Sequence, residues 1–220
     1  MSTFYYFAFG SNLLKERLQL ANPSASFIST AKLQGHAIAF NSIGKDPRSS
    51  RWKGGVATIV EHLEQEVWGC VWRLDAEHRE SLDKQELYYR VKDVDVVAPD
   101  NAKFTCITYY LPGHYFDLKE FDHRPSPMYL DVIIRGARQN RLPDTYLQAL
   151  ETIEHNGHLD NELDIYVSIL KLLPDENQSV LSTIEIDDPN HHASVLDHKA
   201  AVSLNEEYDN HWINVYITVD

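Results

Sequence analysis

Positive charge is scarce in this chain. Twenty Lys and Arg stand against 33 Asp and Glu in 220 residues, a formal net charge of −13. A protein that neutralises a nucleic-acid backbone needs a basic face, so this deficit argues against a nucleic-acid partner. Cysteine is scarcer still. Cys70 and Cys106 are the only two, too few for the disulfide framework of a small secreted domain. Each sits among apolar strand formers and reads as a buried thiol in a reducing cytosol. No apolar run approaches the roughly 20 residues of a membrane span. Met1-Ser2-Thr3-Phe4-Tyr5-Tyr6 lacks the basic-then-apolar layout of a secretory signal. Also missing are a Gly-x-Ser-x-Gly elbow, a P-loop, a dinucleotide fingerprint and a cysteine with a histidine at recognisable spacing. The expectation is a soluble, acidic, cytoplasmic globular protein with no membrane partner.

Aromatic residues are plentiful: 12 Tyr, 8 Phe and 4 Trp within a hydrophobic fraction of 43%, ample for a packed core. There are eleven histidines, but adjacent His191-His192 do not easily share one tetrahedral site. No His-x3-His with a third ligand appears, so a metal is not expected.

Charge divides the chain. From 174 to 220 there are ten acidic residues against Lys199 alone, with Pro174 and Pro189 as punctuation. This predicts a main domain over 1–173 and an acidic C-terminal extension over 174–220. The extension is partly strand-forming, since Trp212 to Val219 is rich in strand formers, and is expected to pack on the main domain. In the main domain, strands are predicted at 4–9, 25–40, 55–62, 66–74, 88–98 and 104–111. Leucines at 13, 14, 18 and 20 predict a short amphipathic helix. Further helices are predicted over 76–85 with Asp75 as N-cap, over 128–140 after Pro125-Ser126-Pro127, and from Leu142-Pro143 to about 154. Strands with helices segregated late give an α+β pattern, a small mixed β-barrel or curved sheet with flanking helices.

Three segments could carry chemistry. Gly10-Ser11-Asn12 stands where a strand hands over to a helix, and the free N–H groups of such a turn can hold an anion. Read alone, it is more simply a helix cap. Gly54-Gly55 precedes a strand, either as a turn or as a place where backbone approaches a ligand closely. Glu86 falls near a helix C-terminus, where the dipole disfavours a carboxylate. Beside Tyr88 and Tyr89, which would desolvate it, its pKa would rise and suit proton transfer near neutral pH. An exposed charge at a helix end is the plainer alternative.

In order along the chain, the stretches Tyr6-Phe7-Ala8-Phe9-Gly10-Ser11-Asn12-Leu13, Asn22-Pro23-Ser24-Ala25, Trp52 through Ile59, Glu66-Val67-Trp68-Gly69, Leu82-Asp83-Lys84-Gln85-Glu86, Pro125-Ser126-Pro127-Met128-Tyr129 and Gly136-Ala137 before Leu142-Pro143 resemble the γ-glutamylcyclotransferase family. The likeness covers roughly 4–170. It implies a compact mixed barrel and a cytosolic enzyme, often a homodimer, using no metal or cofactor. The implied reaction converts a γ-glutamyl amino acid into 5-oxoproline and the free amino acid. Alternatives within the same resemblance are a γ-glutamylamine- or glutathione-specific cyclotransferase, or a non-catalytic binder of γ-glutamyl metabolites. By the resemblance, Glu86 matches the catalytic glutamate. Tyr6, Phe7, Ala8, Phe9, Gly10, Ser11 and Leu13 match the substrate-binding loop, and Tyr129, Tyr89 and Tyr110 match substrate-contacting tyrosines. Tyr88 is an alternative to Tyr89, and Tyr109 to Tyr110. Phe9 stands where many relatives have tyrosine.

Overall fold

The structure, a computed structural model, describes residues 2–42, 46–86, 88–111, 122–181 and 183. Five strands close into a barrel: β1 (Thr3–Ala8), β2 (Ser26–Asn41), β3 (Val56–Asp75), β4 (Arg90–Val97) and β5 (Lys103–Tyr110), in the order β1-β3-β2-β4-β5. Every pairing is antiparallel except the closure, where β1 meets β5 in parallel at Tyr6 and Ile107. The sheet is therefore mixed, and the helices α1 (Lys15–Gln19), α2 (Arg79–Gln85), α3 (Pro127–Gln139), α4 (Asp144–Glu151) and α5 (Asp164–Leu170) lie outside the ladder. This is the α+β barrel expected from the order of the elements.

Several boundaries differ, each for a physical reason. The strands expected at 55–62 and 66–74 are one strand, β3. Gln34 pairs with Glu66 and His36 with Glu61, so residues 62–65 are extra length on β3 opposite Gly35. That polar stretch reads as a break in the sequence, and Leu63 at 95% exposure shows how far it stands from the core. The helix expected after Gly10 is split into a 3-10 turn, Ser11–Leu13, and α1. Asp75 makes no side-chain cap bond, whereas Ser126 does cap α3, accepting from Tyr129 N–H at 3.2 Å with Pro127 in the first turn. Helix α5 has no counterpart among the predicted helices, since its short apolar face, Ile165, Tyr166, Ile169 and Leu170, is too brief for periodicity to stand out.

Gly54-Gly55 is the site of a close approach, but of protein to protein. A Cβ on Gly55 would lie 1.8 Å from His123 O, and one on Gly54 2.5 Å from Ser126 N. Gly55 N–H donates to Arg124 O at 3.0 Å. The missing side chains let the 122–126 segment cross the start of β3 and aim α3 into the barrel mouth.

Past α5 the chain remains attached. Asp131, fully buried on α3, accepts from Arg135 Nε at 2.5 Å, Tyr166 Oη at 2.6 Å and Thr183 Oγ1 at 2.5 Å. Arg135 in turn donates to Asn177 O at 2.5 Å and Ser179 O at 2.6 Å. The strand expected at 212–219 lies outside the described residues. Cys70 and Cys106 are both buried and unbonded. No helix among the described residues is long and apolar enough to cross a membrane.

Candidate active site

The end of β1, the start of β3, the end of α2 and the first turn of α3 surround a cavity of about 470 Å³. Its position follows from the packing of the 3-10 turn. Leu13 and Leu14 are buried against α3 at Gly136, where a Cβ would come within 2.4 Å of Leu14 N. Asn140 Nδ2 donates to Leu13 O at 2.8 Å and ties the other side of the turn. Pinned this way, the turn presents Asn12 to the cavity.

Glu86 is the C-cap residue of α2, and its carboxylate enters the same space. Asn12 Nδ2 donates to Glu86 Oε1 at 3.0 Å and also to Tyr6 Oη at 3.0 Å. Gln85 Nε2 donates to Glu86 Oε1 at 3.2 Å and to Asn12 Oδ1 at 3.0 Å. Gln85 is braced from behind by Asn22, a fully buried residue, at 3.3 Å. Both donors thus converge on Oε1. Glu86 Oε2 carries no hydrogen bond from the described residues. Burial pushes the Glu86 carboxyl above its ordinary pKa, and this outweighs the opposing effects of the Arg17 charge and the Gln85 and Asn12 hydrogen bonds.

The tyrosines divide by role. Tyr129 Oη accepts from Ala57 N–H at 3.0 Å, which leaves its own hydrogen free to donate into the cavity. Burial raises its pKa to about 12, so it is a proton-bearing donor at neutral pH. Tyr89 Oη donates to Ala57 O at 3.3 Å. Two tyrosines therefore hold one residue of β3 by both backbone groups. The Trp52 ring packs on Tyr129 at 4.9 Å between centroids, and Arg17 lies over Trp52 at 6.0 Å.

Of the residues singled out in the sequence, Tyr6, Phe9, Gly10, Ser11, Glu86, Tyr89 and Tyr129 come together around the cavity. Phe7, Ala8 and Leu13 do not line it; all three are fully buried and support the turn from the core. Tyr110 does not line it either. In the 109/110 pair it is Tyr109 that faces inward, with its hydroxyl bonded to Asp83, because strand alternation sends Tyr110 to the other face. There Lys92 covers the Tyr110 ring at 5.2 Å. Tyr88 reaches only the rim and is exposed. The Leu13 N–H is committed to Gly10 O at 2.9 Å, so this amide of the turn is not available to an anion.

Asn12, Arg17, Trp52 and Gln85 also line the cavity, and the sequence marks none of them as a site residue. Arg17 had a readable signal: it falls on the leucine stripe of its helix, where a charged residue has no reason to be unless it faces something polar. Asn12 stands in the sequence as part of an anion-holding turn or as a helix cap, and its side-chain contact with Glu86 across 74 positions has no local signature. Among the described residues no group of three His, Cys, Asp or Glu is placed to hold a metal ion.

Comparison with known proteins places this geometry. An AIG2-like family model matches residues 66–150. The γ-glutamylcyclotransferase of Mus musculus is 39% identical over 169 residues, covering 74% of this chain and 86% of the mouse protein. The chain belongs to the γ-glutamylcyclotransferase family. The Homo sapiens γ-glutamylcyclotransferase is 38% identical over 174 residues, covering 77% of this chain and 88% of its own. A solved γ-glutamyl cyclotransferase structure superposes with a TM-score of 0.66 at 39% identity, over 75% of this chain and 98% of that one. The family's barrel thus accounts for most of the described residues.

Proposed function

We propose that the protein cyclises γ-glutamyl amino acids, releasing 5-oxoproline and the free amino acid, with Glu86 as the proton carrier. The observation that carries the reading is the half-tied carboxylate. Asn12 and Gln85 hold Oε1, while Oε2 is left for the substrate in a cavity that also receives the amino-terminal turn.

In the substrate, the α-amine and the γ-carbonyl belong to one molecule. The α-nitrogen forms a bond to the γ-carbonyl carbon, a five-membered ring closes, and the bond to the departing amino acid breaks. Neither water nor an enzyme nucleophile is consumed. Holding the chain curled contributes on the order of 7–11 kcal/mol, the range for well-oriented intramolecular attack. The amine arrives as an ammonium and must lose a proton before it attacks. Glu86 takes that proton and delivers it to the departing nitrogen as its bond to the carbonyl carbon breaks; a second proton, lost as the ring nitrogen becomes the lactam N–H, follows the same route, and the amino acid leaves as an ammonium. The raised pKa of Glu86 suits both halves of this transfer. The Tyr129 hydroxyl, with its oxygen already accepting from Ala57, is the donor suited to the charge that develops on the carbonyl oxygen.

The test is mass-spectrometric detection of 5-oxoproline after separate incubation with γ-glutamyl-alanine, glutathione and γ-glutamyl-lysine. Release from γ-glutamyl-alanine supports the reading. Binding without release from any of the three makes the protein a binder of γ-glutamyl compounds and overturns it. The resemblance also supports a cytoplasmic homodimer, which size-exclusion chromatography with light scattering and fractionation of cells test directly.

A further inference from the structure

Arg17 is a buried charge in the cavity that no ion pair among the described residues holds. It is 5% exposed and lines the cavity. Its Nε is sealed from solvent with no hydrogen-bond partner among the described residues. None of the salt bridges between described residues includes it. What it does meet is the Trp52 ring, which in turn packs on Tyr129. A guanidinium does not shed its proton in a protein, and a buried cation without a paired anion is costly. Its planar fork matches a carboxylate with two parallel hydrogen bonds. An anionic ligand group would complete the arrangement.

We propose that Arg17 seats the α-carboxylate of the γ-glutamyl substrate, and so presents the adjacent α-amine to Glu86. The inference rests on the cyclisation reading above and adds the group that orients its substrate. Two features select this carboxylate over the one on the departing amino acid. Arg17 and Glu86 line the same cavity, and the Arg17 charge opposes the rise of the Glu86 pKa. An anion held by Arg17 therefore lies beside the proton acceptor, and in the substrate only the α-carboxylate shares a carbon with the amine to be deprotonated. The other cations of the cavity, Arg51 and Lys84, are exposed at the rim, where Lys84 is already paired with Glu80 at 2.7 Å. The rim is where the departing end would lie.

Three compounds separate the possibilities. γ-Glutamyl-alanine has both carboxylates, 4-aminobutanoyl-alanine lacks only the α-carboxylate, and γ-glutamyl-ethylamide lacks only the one on the departing group. Their binding is measured calorimetrically in a Glu86→Gln background, with and without Arg17→Met, and their turnover in the wild-type and Arg17→Met proteins. Arg17→Met is expected to weaken γ-glutamyl-alanine and γ-glutamyl-ethylamide alike by about 10²-fold, the scale of a charge-assisted hydrogen-bond pair. Binding of 4-aminobutanoyl-alanine, already weak, should be nearly unchanged. Arg17→Lys, which keeps the charge but not the fork, should fall between. Ligand-free Arg17→Met in the Glu86→Gln background should melt no lower than its parent, because there the buried charge that is removed has no carboxylate to oppose it.

Equal losses for all three compounds, or a clearly lowered melting temperature without ligand, would make Arg17 structural and overturn the proposal. Losses confined to the two alanine compounds would assign Arg17 to the departing group and overturn it as well. Should Arg17→Met fail to fold, equal affinity of the Glu86→Gln protein for γ-glutamyl-alanine and 4-aminobutanoyl-alanine would do the same. The cyclisation reading fails separately, if the wild-type protein releases no 5-oxoproline while these affinities still follow the α-carboxylate.

Discussion

Asn12 donates to Glu86 Oε1 at 3.0 Å across 74 positions of sequence, joining the turn after the first strand to the end of the second helix. The same amide nitrogen donates to Tyr6, so the carboxylate, the turn and the barrel wall share one hydrogen-bonded unit. Glu86 is oriented by its surroundings rather than by its own short helix.

Replacing Glu86 by Gln keeps an oxygen for Asn12 to bond and removes the carboxylate proposed to accept the proton. Turnover of γ-glutamyl-alanine should fall by at least the 10²–10⁴-fold typical of a lost acid–base group, while calorimetric binding of the dipeptide persists. Wild-type-like release of 5-oxoproline from this variant would remove Glu86 from its role.

The raised pKa of Glu86 gives that substitution a second signature with a defined sign. Its folded value lies above the unfolded one of about 4.3, so the folded state binds the proton more tightly. The stabilisation linked to the protonated carboxyl is complete below the unfolded value and is lost as pH rises through the folded one. Glu86→Gln, a mimic of the neutral form, should therefore melt higher than wild type at pH 7, with the gap closing near pH 4. In the wild-type enzyme, the acid limb of kcat/KM should lie above the usual glutamate range. Because Arg17 holds the Glu86 pKa down, Arg17→Met should move that limb to higher pH.

Tyr129→Phe deletes the oxygen that accepts from the buried Ala57 N–H. Leaving that donor unpaired should cost about 1–3 kcal/mol in urea unfolding. The same change should lower kcat/KM for γ-glutamyl-alanine, and an unchanged value would mean that the hydroxyl only packs.

Gly136→Ala places a methyl group 2.4 Å from Leu14 N and 2.6 Å from Leu13 Cβ. Since the obstacle is largely backbone, the turn must shift, at a cost of about 1–3 kcal/mol for an overpacked core. Asn12 rides on that turn, so kcat should drop even in the fraction that remains folded. Circular dichroism melts alongside turnover of folded protein check both parts.

The sequence discloses the barrel's strands because their alternation is local, and it discloses Glu86 and Tyr129 because they lie in stretches resembling a known family. It does not disclose what depends on convergence. Tyr109 and Tyr110 are neighbours with equal propensity, and only the register of β5 against β4, with Tyr109 opposite Val91, decides which faces the cavity. Gln85 looks like any polar residue at a helix end until Asn22, Asn12 and Glu86 are seen around it. Gly54-Gly55 is legible as a turn, while the segment 122–126 that crosses it lies about seventy positions further on.

The bonds from Asp131 and Arg135 to residues 177–183 bear on how the chain should be shortened for crystals or degraded by a protease. A cut at the change in charge near 174 would strip a sealed carboxylate of Thr183 and an arginine of two carbonyls, and the remaining core should soften. A cut just beyond 183 spares every one of these bonds. Asn177, Ser179 and Thr183 therefore belong with the folded body, and trimming should begin only after them.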